Sequence, residues 1–131
     1  MPIERINPEG LRRPPTYTPV VRASGGSTIY ISGQVPVDLE ARIVGVGDFS
    51  AQAKQVFENL RIALAAVGAD FSNVVKMTTY IVNCEPGLRE ALGAVRSAAM
   101  GGALAASTLV GVQALATPDY LLEVEAIAVV D

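Results

Sequence analysis

With no histidine among its 131 residues, the chain has few side chains able to move a proton near neutral pH. What remains is carboxylate and tyrosine chemistry assisted by backbone donors. Glu123 and Glu125 stand out, because they interrupt an aliphatic run, Leu121-Leu122-Glu123-Val124-Glu125-Ala126-Ile127-Ala128-Val129-Val130. Successive side chains on a strand point to opposite faces, so Leu122, Val124, Ala126, Ala128 and Val130 form one apolar face. Both glutamates fall on the other, roughly 7 Å apart by the two-residue repeat. A carboxylate so placed either looks into water or acts as a base, and for a lone glutamate the solvated face is the commoner case. Tyr17, Tyr30, Tyr80 and Tyr120, and the backbone around Ser32-Gly33, complete the candidates. Cys84 has no base beside it in sequence and is read as structural.

Composition removes several classes of function. Without histidine, no Ser-His-Asp or Cys-His arrangement and no histidine metal site can be assembled, and no phosphate loop or dinucleotide fingerprint is present. Neither a metal nor a cofactor is expected. A net charge of −3 and a pI near 4.9 argue against nucleic-acid binding, since Arg12, Arg13 and Arg22 do not make a basic stripe. The single cysteine suits a reducing compartment, so a cytoplasmic location is expected. No apolar signal core follows Met1-Pro2-Ile3-Glu4-Arg5, and no hydrophobic run follows the Arg12-Arg13 pair. The stretch between Arg96 and Asp119 carries no charge and is long enough to span a bilayer. Gly101-Gly102 breaks it, however, and a buried helix end followed by a strand is the better reading. An apolar content of 50% and a mean hydropathy of +0.38 exceed what a monomer needs, which predicts burial of surface between subunits.

These candidates need elements to position them. The chain reads as a single domain, 1–131, whose first 16 residues are Pro-rich and without period. Two β-rich runs around Gly25-Gly26 predict a hairpin, and Gly33 predicts a bulge or a close backbone approach. A helix is expected over 49–67, capped by Asp48 or Ser50 and closed by Gly68, with Ala53, Val56, Phe57, Leu60, Leu64 and Val67 on its core stripe. A strand over 73–82 precedes a second helix with Pro86 in its first turn, Leu88, Leu92, Val95 and Ala99 on its buried face, and Gly101-Gly102 at its end. A strand over 107–115 and the glutamate strand finish the chain. The order β β α β α β β predicts an α+β fold, a mixed β-sheet with two helices on one face.

Several of these segments together resemble the RidA/YjgF family of reactive-intermediate deaminases. The matching stretches are Tyr17 ahead of Ile31-Ser32-Gly33-Gln34-Val35-Pro36, the helix segment Gln52-Ala53-Lys54-Gln55-Val56-Phe57-Glu58-Asn59-Leu60, the strand Val75-Lys76-Met77-Thr78-Thr79-Tyr80-Ile81, and Pro118-Asp119-Tyr120-Leu121-Leu122-Glu123-Val124-Glu125-Ala126-Ile127-Ala128. The resemblance implies a chorismate-mutase-like subunit, a homotrimer with clefts between subunits, and hydrolysis of 2-imino or enamino acids to 2-oxo acids and ammonia. It assigns Glu123 to positioning the attacking water, Tyr17 to lining the cleft, and Ser32 and Gly33 to backbone donation. In the family's deaminases an arginine on the fifth strand holds the substrate carboxylate. The corresponding position here is Ser107, within Ala106-Ser107-Thr108-Leu109, and a slip of one residue still meets no arginine.

Ser107, Thr108 and Leu109 are therefore the expected substrate-binding positions, without the charged clamp. Losing such a clamp costs on the order of 2–5 kcal/mol in a buried site, or roughly 30-fold or more in turnover. Two readings stay open: a small-molecule hydrolase acting on reactive imines with altered substrate or weakened activity, and a non-catalytic trimer that binds a small metabolite. RNA cleavage, an older label in the family, fits poorly with the acidic balance. Arg22 and Lys76 are the cations considered as replacements for the missing arginine.

Overall fold

The structure, a computed structural model, describes residues 3–131. Its strands are β1 (Ile3–Ile6), β2 (Val20–Ala23), β3 (Ser27–Gln34), β4 (Val74–Val82), β5 (Ala106–Val112) and β6 (Leu122–Val130). Its helices are α1 (Phe49–Ala65) and α2 (Pro86–Met100), and a short 3-10 turn, Phe71–Asn73, precedes β4. A four-stranded sheet runs in the order β3-β6-β4-β5. β6 is antiparallel to both neighbours and β4 is parallel to β5, with α2 as the crossover. The sheet is thus mixed, with both helices on one face, as the sequence predicts.

Alternation along β6 sets that arrangement. Leu122, Val124, Ala126 and Ala128 are buried, and the register places Ile81, Thr79 and Met77 of β4 beside the first three of them. Ala53, Val56, Phe57, Leu60 and Leu64 of α1 and Leu92 of α2 close over them to form the core. α1 begins where Asp48, in extended backbone, accepts a hydrogen bond from the Ala51 N–H. Gly68, at φ 71°, reverses the chain past the helix end, where the Ala69 N–H donates to the Leu64 carbonyl. Pro86 opens α2 and Gly101 ends it.

Five expectations need correction. The N-terminal segment is not wholly irregular: Ile3–Ile6 is a strand, antiparallel to β2. Met1 and Pro2 of that segment lie outside the described residues. The runs flanking Gly25-Gly26 do not pair as a hairpin, although both glycines adopt positive φ and turn the chain. β3 pairs instead with β6, which seats Ile29 and Ile31 against the core, while β2 takes the local partner β1. The fifth strand stops at Val112 rather than reaching Leu115. Val67 lies beyond the end of α1 and is exposed, and Ala99 faces away from the core, because α2 turns mainly Leu92 inward.

The sheet face away from the helices carries Tyr30 of β3, 78% exposed, Thr78 and Tyr80 of β4, and Glu123 and Glu125 of β6.

Candidate active site

Glu123 sits where β3 departs from regular pairing. Ile31 pairs with Ala126 and Gln34 with Val124, so Ser32 and Gly33 together oppose one residue of β6. Such a bulge leaves backbone groups outside the ladder and re-aims the chain. The Glu123 side chain lies across it. A Cβ built on Gly33 would stand 1.9 Å from Glu123 Oε2, so only glycine lets the carboxylate approach the backbone this closely. Both the bulge and the close approach expected of Gly33 are present. No other described residue offers the Glu123 carboxylate a hydrogen bond or an ion pair. Glu125, by contrast, is engaged, because Tyr80 donates its phenol hydrogen to Oε1 at 2.7 Å. That bond, followed by burial and the charges of Glu125 and Glu123, raises the Tyr80 phenol above its usual value.

Tyr17 and Ser107 meet elsewhere. With Leu109, Thr16, Cys84, and Leu92 and Arg96 of α2, they line a cleft of about 960 Å³. The segment holding Tyr17 is fixed by its neighbour. Thr18 is buried; its N–H donates to the Ala105 carbonyl at 3.1 Å and its hydroxyl to the Leu104 carbonyl at 2.5 Å, immediately before β5. The parallel register pairs Ser107 with Met77 and Leu109 with Thr79, which puts both on the helix side of the sheet. Thr108 points the other way, where its hydroxyl accepts from Lys76 Nζ at 2.7 Å.

The candidate residues therefore form two groups within one chain. Glu123, Ser32 and Gly33 belong to the β3–β6 edge and the open face. Tyr17, Ser107 and Leu109 belong to the β5 edge and the helix side, and Thr108 joins neither group. β3 and β5 are the two edge strands, three strand spacings apart, or roughly 14 Å. A second and mostly apolar groove, about 1030 Å³, runs between α1 and α2 and contains none of these residues.

Cations near the cleft differ from those considered in the sequence. Arg22 is committed to an exposed bidentate pair with Glu4, at 2.8 and 3.1 Å. Lys76 is held by Thr108 on the open face. The arginines that line the cleft are Arg89 and Arg96, both from α2. Burial alone pulls the Arg96 guanidinium down from its usual value. Among the described residues no group of three or more Cys, Asp or Glu could hold a metal ion. No helix of the described residues is long and apolar enough to cross a membrane.

Sequence reasoning gave no role to the two side-chain amides of α1 that frame these groups, Gln52 and Asn59. Gln52 is fully buried; its Nε2 donates to the carbonyls of Asp119 at 2.9 Å and Gly45 at 3.1 Å, and its Oε1 accepts from the Leu121 N–H at 2.9 Å. It thereby fixes the approach to Glu123. Asn59 Nδ2 donates to the carbonyls of Val35 and Val37, fixing the exit from the Ser32-Gly33 bulge. The signal for Gln52 was its position, three residues after Phe49 and four before Val56, a polar side chain on the core stripe of α1.

The model of the family described as Endoribonuclease L-PSP matches residues 11–130. A RutC family protein of Pyrococcus abyssi is 35% identical over 103 residues, 79% of each chain. The solved structure of YyfB from Yersinia pestis, titled a protein of unknown function of the conserved Rid protein family, superimposes with a TM-score of 0.91 at 36% identity, over 99% of this chain and 100% of that one. The chain belongs to the RidA/YjgF family. Other relatives match over shorter stretches. The chain spans 51% of the length of the protein DfrA of Myxococcus xanthus, at 40% identity over 67 residues and 51% of this chain. It spans 41% of the 2-iminobutanoate/2-iminopropanoate deaminase of Rattus norvegicus, at 41% identity over 56 residues and 43% of this chain. Imine deamination is thus an activity within the family.

Proposed function

We propose that this protein hydrolyses small reactive imines or enamines to a carbonyl product and ammonia, with Glu123 as the base that activates water. The observation that carries this reading is the Glu123 carboxylate, free of any described partner and laid against the Gly33 backbone at a bulge. An acceptor so placed can take a proton from water while nearby backbone donors steady a polar group on the reacting carbon. The water oxygen bonds to the imine carbon as Glu123 takes its proton. Glu123 gives that proton to the nitrogen, which completes a carbinolamine; it then takes the carbinolamine's hydroxyl proton and passes it to the nitrogen as the carbonyl forms, and the carbon–nitrogen bond breaks to release ammonia and the carbonyl compound.

Glu123 and Tyr17 belong to different groups of one chain, so the reading includes a homotrimer with clefts at the subunit boundaries. There the β3 edge of one copy meets the β5 edge of the next, and a ring of such head-to-tail contacts closes without leaving a free edge. Tyr30, 78% exposed, and the rest of the open face are then covered. The reading also includes weakened or altered substrate preference, because the fifth-strand position that would hold an arginine carries Ser107, and a hydroxyl does not reproduce a bidentate guanidinium.

The test is a coupled assay with freshly generated 2-iminobutanoate on the protein as purified, with its mass determined by light scattering. Release of ammonia above the uncatalysed rate, lost in Glu123→Gln, is expected. Wild-type and Glu123→Gln samples that behave alike would defeat the assignment of Glu123. A trimer that binds small carboxylates without turnover would leave the non-catalytic, ligand-binding reading in its place.

A further inference from the structure

We propose that Arg96 of α2 supplies the cation that Ser107 does not, and that it holds the carboxylate of a small oxo or imino acid in the cleft lined by Tyr17, Ser107 and Leu109. The proposal rests on the reading of that cleft as part of the substrate site. Three observations carry it. Arg96 lines the cleft with those residues. It is half-buried, and no described residue hydrogen-bonds to it or pairs with it. Its neighbour on the core face explains the position: Arg96 lies four residues, one helical turn, after Leu92, the buried residue of α2. A guanidinium drawn out of water without a counter-charge is costly to keep, and an anionic ligand is the partner that offsets the cost.

Arg89 lies two turns before Arg96 on the same side, but it is exposed at the rim, and Glu85 and Glu90 line the cleft there with it. The Arg89 charge is thus more than offset at the rim, and Arg96 is the cation on the half-buried side. No positive residue follows it until the chain ends, so the fifth strand brings none to the cleft. An arginine fork binds a planar carboxylate through two parallel hydrogen bonds, which fixes the orientation of a small acid as well as its affinity.

The test is titration of the purified protein with 2-oxobutanoate and with its neutral analogue 2-oxobutanamide, followed by calorimetry. Arg96→Gln is expected to weaken 2-oxobutanoate roughly 30-fold or more while leaving the amide unchanged, and Arg96→Lys to fall between. Equal affinity for 2-oxobutanoate in wild type and Arg96→Gln overturns the proposal, as does no binding to wild type. Should Arg96→Gln fail to fold, the Arg96 Nε–H resonance of the wild type is followed instead; it is expected to shift on adding 2-oxobutanoate, and an unmoved resonance overturns the proposal. Failure here and failure of the deaminase reading are separable. Arg96-dependent binding without imine turnover sinks only the catalytic reading. Turnover of 2-iminobutanoate by Arg96→Gln at wild-type KM sinks only the role of Arg96.

Discussion

Replacing Gln52 with leucine is expected to damage both stability and the site, because one buried amide joins three separate pieces of backbone. Gln52 is fully buried and makes three hydrogen bonds, two given to the carbonyls of Gly45 and Asp119 and one taken from the Leu121 N–H. A buried hydrogen bond contributes about 1 kcal/mol net, and a stranded buried donor costs about 1–3 kcal/mol. Asp119 is exposed, so its carbonyl can turn to water, whereas the Leu121 N–H at the head of β6 is less able to do so. Leucine fills a similar volume, so little cavity cost is added. The sum is about 3 kcal/mol. With unfolding entropy near 2.1 cal/mol/K per residue over 131 residues, that lowers Tm by about 10 °C.

The measurement is thermal unfolding of wild type and Gln52→Leu at equal protein concentration, since an oligomer's Tm depends on it. Gln55→Leu is the control: Gln55 bonds only Asn59 Oδ1, at 2.8 Å, and its loss is expected to cost about 1 kcal/mol or less. Hydrogen exchange at the Leu121 amide adds the local test, with protection expected to fall well beyond the global loss of stability. Because Leu121 stands two residues before Glu123, turnover is expected to fall as well. If Gln52→Leu melts within about 2 °C of wild type, or no lower than Gln55→Leu, the amide does not anchor β6 and the reasoning is wrong.

Thr79 gives the opposite expectation. Its hydroxyl is buried with no hydrogen-bond partner, so Thr79→Val removes an unpaid desolvation at constant shape and is expected to add about 1 kcal/mol, read as a small rise in Tm; a clear fall would mean that the hydroxyl is satisfied. Gly33→Ala puts a methyl group where Glu123 Oε2 now lies, and that flexible end must move aside. The variant is expected to keep its Tm within a few degrees and to lose turnover about tenfold or more, and full activity would separate Glu123 from the bulge. Tyr80 tests the hydrogen bond to Glu125: the raised phenol value means that the bond's contribution is complete below the unfolded tyrosine value and is lost as pH rises through the folded one. Absorbance titration at alkaline pH should show a late tyrosine that moves earlier in Glu125→Gln, and an unchanged titration curve would contradict it.

Elements with strong local signals were legible in the sequence. α1 is bracketed by Asp48 and Gly68 and α2 by Pro86 and Gly101, so capping chemistry sets their ends, and β4 and β6 carry the alternation that a one-sided sheet imposes. What escaped depends on partners distant in the chain. β1 is four residues long, and only its pairing with β2 makes it a strand. The Gly25-Gly26 turn predicts a hairpin from local chemistry, yet β3 takes β6, nearly a hundred residues on, because that pairing completes the core sheet. For the site, the glycine at the bulge was legible because the close approach of Glu123 leaves room for no side chain. Arg96 was not, since a lone arginine on an amphipathic helix looks like any solvated charge until its neighbours are known.

The two groups of candidate residues are held by different means. Glu123 and Gly33 are fixed by strand pairing and by Gln52 and Asn59 of α1, which bond to the backbone leading into β6 and out of β3. Tyr17 is fixed by the two bonds of Thr18 to the segment before β5, and Arg96 by the packing of Leu92 one turn away. Each half is positioned internally, so an association that brings β3 of one copy to β5 of another would need no folding of either half to build a cleft. The binding cost would then fall mainly on lost rigid-body freedom rather than on ordering side chains. A carboxylate from one copy and a guanidinium from the next would face the same small molecule. Arg96 would hold its acid group, leaving the imine carbon to the water that Glu123 activates.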